Sequence, residues 1–271
     1  MRYDLAAMAR RQGLKRKRVV LPAIGGTKAQ SDELARILLR VVAVWNDAAR
    51  GPILAAYSEA LAAQPMDAMT RDDAPRAAST ISAADGEASR LTLVLTPALR
   101  DWAVRIERFV RCRFAAGVLS ATGVNLDTVI GPGDARAPLD TWVERNVALV
   151  RDVSDQARGR ISDIVFRGLS RRTPARDVAR EMNEAVALGR ARSLRIASDQ
   201  LSKLTTQLAA ERRRQAGLDQ WEWLASGKVN GREEHAALDG KVFSDKDPPE
   251  DMPGELPNCG CRARAVLDLD R

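Results

Sequence analysis

Between Leu139 and Leu208 apolar residues recur at helical spacing through two long stretches that meet near Gly168–Pro174. No strand pattern accommodates such a run, so most of this chain must pack as amphipathic helices. In the first stretch Val143, Val147, Val150, Ala157, Ile161 and Ile164 share one face, and Gly168 and Ser170 end it. Thr173-Pro174 restarts the chain, Thr suiting an N-cap and Pro the first turn. Val178, Met182, Val186, Leu188, Leu194, Ile196, Leu201, Leu204 and Leu208 then carry the pattern to Arg212-Arg213-Arg214, with Gly217 as the stop. That basic run reads as a solvated helix end, where cations suit the macrodipole. The apolar stripe of 139–166 also suits self-association. Aromatic residues are only 4% of the chain, in keeping with aliphatic helix packing.

Upstream the pattern is weaker. Ser31-Asp32-Glu33 offers helix-start chemistry before Leu34, Ile37, Leu38, Val41 and Trp45, and Gly51-Pro52 should break or kink that helix before a short second one through Leu61. Residues 64–89, rich in Ala, Asp, Ser and Pro, read as a long loop. A helical block resumes at Pro97, with Trp102, Ile106, Phe109 and Val110 on a stripe, and ends by Gly131-Pro132-Gly133. After Gly217 the character changes. Trp221–Leu224, Lys241–Phe243 and Ala263–Leu269 read as short strands, and Asp239-Gly240 as a hairpin-type turn. The expected fold is mainly α: an elongated helical body with a small C-terminal α+β module. Its parts are an arm (1–30), a helical region with a loop (31–138), a long-helix region (139–217) and a β-rich module (218–271).

The net charge of +7 resides entirely in the first thirty residues, which hold eight basic groups and one acid, Asp4. The candidates are Arg10, Arg11, Lys15, Arg16, Lys17 and Arg18. Such an arm neutralises phosphates without reading bases, and equally suits a solvated tail or an acidic protein surface. No apolar run reaches the length of a membrane span, and no signal-peptide core follows the N-terminal basic residues. Three cysteines, Cys112 alone, make no disulfide framework and point to a reducing compartment.

The segment from Trp223 to Cys261 carries the most specific pattern. It runs Trp223, Ser226, Arg232-x-x-His235, Leu238-Asp239-Gly240, Phe243, Pro253-Gly254, then Asn258-Cys259-Gly260-Cys261. This order resembles the C-terminal signature of the Mu F-like minor head proteins of tailed phages. Trp142, Ile161, Gly168-Leu169-Ser170 and Arg192–Gln200 extend the resemblance over roughly residues 140–270. Two positions depart from the usual pattern: Ser198 and Gly260 stand where Arg is common. The resemblance implies a low-copy, non-enzymatic protein of the virion head, found in the host cytoplasm during assembly. It also implies association with the portal protein and inner capsid and a role in packaging or ejecting DNA; the apolar stripe of 139–166 would suit several copies around a portal ring. It implies neither a required cofactor nor a membrane partner.

Taken by their chemistry, His235, Cys259 and Cys261 offer Zn²⁺ one imidazole and two thiolates, with Asp239 or water completing a tetrahedron. The preferred reading is plainer: His235 bonds the 238–240 turn and the cysteines pack as small buried residues, because one ligand is missing. Arg232 reads as a pin for its own loop, through Glu234 or Asp239. Two other functions compete: a nonspecific DNA-binding protein using the arm, and a one-metal nuclease built on His235, Asn230, Asp239 and Asn258. Neither a nucleophile elbow nor a phosphate-binding Gly loop is present; Gly25-Gly26-Thr27 lacks the spacing.

Overall fold

The computed structural model describes residues 3–63 and 75–270. Helices dominate: α1 (Leu5–Arg11), α2 (Lys28–Ala48), α3 (Leu54–Ala63), α4 (Pro75–Thr122), α5 (Arg136–Ser170), α6 (Ala175–Gln215) and the single turn α7 (Glu233–Ala236). Four strands, β1 (Arg18–Val20), β2 (Gln220–Leu224), β3 (Val242–Ser244) and β4 (Arg262–Asp268), form one antiparallel sheet in the order β1-β4-β2-β3. The mainly α fold with a small β-containing module is therefore as the residue pattern predicts. Among the described residues no helix is long and apolar enough to cross a membrane.

Contacts divide the chain into two compact units. One comprises Met1–Ser31, Arg100–Val143 and Ser198–Arg271; the other comprises Asp32–Leu99 and Glu144–Ala197. The described residues of the second unit form helices and the turns between them, with no strand. Its core gathers Leu34, Val41, Ile53, Leu95, Leu99, Val150, Ile161 and Met182, all buried. Trp45 Nε1 donates to Ser154 Oγ at 2.9 Å, and Tyr57 Oη to the Thr173 carbonyl at 2.5 Å, so both aromatic polar tips are satisfied. Gly168 lets the chain pass close: a Cβ there would lie 2.9 Å from Val178 and 3.0 Å from the Tyr57 hydroxyl.

Several expectations fail here for physical reasons. Residues 75–89 belong to α4, while 64–74 lie outside the described residues. Their buried stripe is Ala77, Ile81, Ala84 and Ala88, four residues at helical spacing of which three are too small to register as apolar periodicity. Pro97 sits inside α4 and starts nothing. Gly51-Pro52 does not break the chain but falls within a π-helical turn, Ala49–Ile53, that leads directly into α3. Leu188 and Leu194 are exposed, whereas the stripe of α5 is already covered within the chain and is not free for self-association.

In the first unit α2 begins earlier than Ser31, at a capping box. Thr27 Oγ1 accepts from the Gln30 amide at 3.3 Å, and Gln30 Oε1 accepts from the Thr27 amide at 2.8 Å. Trp102 and Trp142 stack with centroids 5.0 Å apart, and their indole N–H groups donate to the carbonyls of Gln30 and Gln200. The triple-arginine run is not a solvated helix end. Arg212 is buried and paired with Glu107, and it donates to the Gly131 carbonyl at 2.9 Å. Arg213, also buried, bonds Asp245 at 2.5 Å and the carbonyls of Leu218 and Asp219. Burial pushes the Arg213 guanidinium down from its ordinary value, and the Asp245 carboxylate opposes that shift. Arg214 alone of the three is exposed. Gly217, at φ +73°, ends α6 as its position predicts.

The N-terminal segment is likewise folded and is no free arm. Asp4 caps α1, Tyr3 and Leu5 amides bond the carbonyls of Gln215 and Ala216, and β1 pairs with β4. Leu5, Ala9 and Val19 are buried. The six basic candidates are exposed around this framework. Three are tied down locally: Arg10 to the Leu269 carbonyl at 2.7 Å, Lys17 to Asp270 at 3.3 Å and Arg18 to Glu222 at 3.9 Å.

Candidate metal centre

The burial alternation of β2 fixes the floor of the site. Trp221 and Trp223, two residues apart, face the same buried side of the sheet. Phe243 of β3 lies opposite Trp221 in register, with ring centroids 5.2 Å apart. Leu238, Met252 and Leu256 close around these rings together with Cys259 and Cys261. Arg213 stands 5.8 Å over the Trp221 ring.

The connection from β2 to β3 is a long excursion and not a tight hairpin. Its base is shut by Trp223 and Lys241, whose amide and carbonyl meet at 2.8 Å, and by Gly240 N–H donating to the Trp223 carbonyl at 2.9 Å. Asp239 Oδ1 accepts from the Ala225 amide at 2.7 Å, and Gly240 takes φ +74°. Asp239 thus closes the loop and does not belong to the His/Cys group. The closed loop carries α7, which places His235 over the tryptophans; the imidazole meets Trp223 edge-on at 5.1 Å. Arg232 pins the loop as expected but through another partner, the Pro257 carbonyl at 3.2 Å. Lys228 Nζ adds a bond to the Asn258 carbonyl at 2.9 Å.

The cysteine loop is anchored from α6. Asp199 Oδ1 accepts from the Asn258 amide at 2.6 Å, and Ser202 Oγ donates to the Cys259 carbonyl at 3.1 Å. Pro253 and Gly254 are buried beside it. Gly254 is required twice over: its φ is +76°, and a Cβ would lie 2.8 Å from Thr206 Oγ1. Its N–H points at Cys259 Sγ, 3.4 Å away.

These two loops bring three donor atoms together. His235 Nδ1 lies 3.5 Å from Cys259 Sγ and 3.7 Å from Cys261 Sγ, and all three side chains are at least 96% buried. The ring does not turn toward the 238–240 backbone. Its other nitrogen, Nε2, meets Asp251 Oδ2 at 3.3 Å. Burial first, and the neighbouring Cys259 second, push the Cys261 thiol above its ordinary value. Sequence reasoning missed Asp251, which sits in a proline-rich acidic loop without periodicity, and no spacing rule links it to His235. The basic candidates Arg10–Arg18 do not join this cluster. Of the nuclease-like set, Asp239 is engaged by the Ala225 amide and stands outside the His235 group.

A helical protein that ends in a small antiparallel sheet, with a buried His/Cys knot between two pinned loops, is the class that fold and site define. Residues 159–264 match the family model described as Phage Mu protein F like protein, so the resemblance carried by Arg232, His235 and the cysteine pair holds over that segment. A relative from Haemophilus influenzae, an uncharacterized protein, is 31% identical over 125 residues; the aligned region is 45% of this chain and 28% of that protein. The chain thus spans little more than a quarter of that relative. No solved structure matches.

Proposed function

We propose that this protein is a minor head protein of a tailed phage that acts in head morphogenesis at the portal vertex. The match of residues 159–264 to the Mu F-like family carries the reading, because it covers α6 and nearly all of the pinned loops around His235 and the cysteines. The site's construction favours a structural task. Its conspicuous side chains bond one another and backbone carbonyls, and the cluster of Trp221, Trp223, Cys259 and Cys261 is buried. Docking on the portal and inner capsid during assembly in the host cytoplasm, with residence in the virion head, follows from this reading.

A second reading rests on the exposed basic surface of Arg11, Lys15 and Arg16, which suits nonspecific contact with packaged DNA. Co-purification with the portal protein of its own phage, at low and high salt, separates the two. Retention of portal protein in high salt is the expected outcome. Loss of portal binding at all salt concentrations, with DNA retained only in low salt, would overturn the head-protein reading in favour of the DNA-binding one.

A further inference from the structure

We propose that His235 Nδ1, Cys259 Sγ and Cys261 Sγ bind one zinc ion, with a water in the fourth position and Asp251 orienting the histidine. The inference stands on geometry and does not depend on a role in the phage head. Tetrahedral zinc with Zn–N of about 2.05 Å and Zn–S of about 2.3 Å separates nitrogen from sulfur by about 3.6 Å. The two Nδ1–Sγ distances are 3.5 and 3.7 Å, and all three donor atoms lie within 4.8 Å of one another. Both nitrogen–sulfur separations therefore already match those of a zinc-bound set.

The surroundings match what a bound ion requires. Cys259 and Cys261 lie two residues apart immediately before β4, and both sulfurs approach the same imidazole nitrogen. That placement lets a Cys-x-Cys pair present both sulfurs together despite its tight spacing. The Gly254 N–H directed at Cys259 Sγ stabilises a thiolate better than a thiol. The Asp251 carboxylate at Nε2 holds the ring in the tautomer whose Nδ1 lone pair is free to ligate, the usual outer partner of a metal-bound histidine. Trp223, edge-on to the ring, limits its rotation. Zinc takes cysteine as thiolate and competes with protons for it, so affinity rises with pH. With three protein ligands and a small β module around them, the ion would bind the 225–241 loop to the 245–261 loop.

The test uses tag-free, full-length protein carrying Cys112→Ser, purified under reducing conditions without added metal. Elemental analysis should find about one zinc per chain. After chelation, anaerobic addition of Co²⁺ should give the thiolate-to-cobalt charge transfer and intense visible bands of a tetrahedral site. Cys259→Ser and His235→Ala should weaken or abolish these bands. Asp251→Asn should keep the spectrum and lower affinity 10–100-fold. Because the Cys and His variants are open to misfolding, the chelated unsubstituted cluster provides the second measurement: it should melt at a lower temperature and recover on adding Zn²⁺. Protein that purifies without zinc, gives no charge-transfer band with Co²⁺ and melts identically with and without chelator would overturn the proposal. It would leave His235 and the cysteines as a hydrogen-bonded core cluster.

Discussion

Arg212 and Glu107 face each other with about 1% and 2% of their side chains exposed, and a pair so deep is held by mutual compensation. Removing Arg212 leaves the buried Glu107 carboxylate dependent on Arg111, 3.3 Å away and partly exposed, in a medium that solvates charge poorly. Arg212→Ala should therefore lower unfolding free energy by about 3–5 kcal/mol in denaturant titrations. Replacing both residues with apolar ones of similar volume should recover most of that loss. If the single substitution costs no more than a surface pair would, the buried-pair account is wrong. The thiols give a second residue-scale prediction. Cys112 is exposed, whereas burial and Cys259 keep the Cys261 thiol protonated beyond the usual range. Iodoacetamide at neutral pH should thus alkylate Cys112 well before Cys261, even in chelated protein, as mass spectrometry would show. Equal rates would contradict the placement of Cys261 in the core.

Capping and edge pairing set what each element tolerates. The reciprocal Thr27–Gln30 bonds mark the start of α2, and Thr27→Ala should cost about 1 kcal/mol in thermal or chemical unfolding. The long helices were legible because large aliphatic residues mark their buried faces; the start of α6 and the Gly217 stop needed only capping chemistry and periodicity, whereas α5 begins at Arg136, ahead of its apolar stripe. The first turns of α4 were not, because Ala77, Ala84 and Ala88 bury themselves without a hydropathy signal. β1 was hidden in a basic run: Val19 packs inward while Arg18 on the same short strand stays at the surface. In the site, His235 and the cysteines stood out by residue type. Asp251 and the α6 anchors Asp199 and Ser202 reach it only through tertiary structure, which no local pattern encodes. The same limit explains why Arg212 and Arg213 looked solvated: helix-end position is local, whereas their partners Glu107 and Asp245 are remote in sequence.

For the molecule as a whole, charge is the property with a measurable reach. Outside residues 1–30 basic and acidic groups balance, so salt-dependent DNA affinity should trace to Arg11, Lys15 and Arg16 on the folded N-terminal segment. Replacing these three with Gln should reduce the log–log salt slope by roughly 0.9 per lost phosphate contact, read by fluorescence anisotropy. An unchanged slope would assign DNA affinity to another surface. The strand order carries a further consequence. Val19 pairs with Leu267, so the sheet is completed by segments separated by almost the whole chain. During synthesis β1 must wait unpaired until β4, roughly 240 residues further along the chain, has been made, while β4 in turn arrives with an open edge. Loss of β4 (Arg262–Asp268) would leave β1 without its partner and β2 with an open edge, the kind of surface on which strands of other chains pair and aggregate.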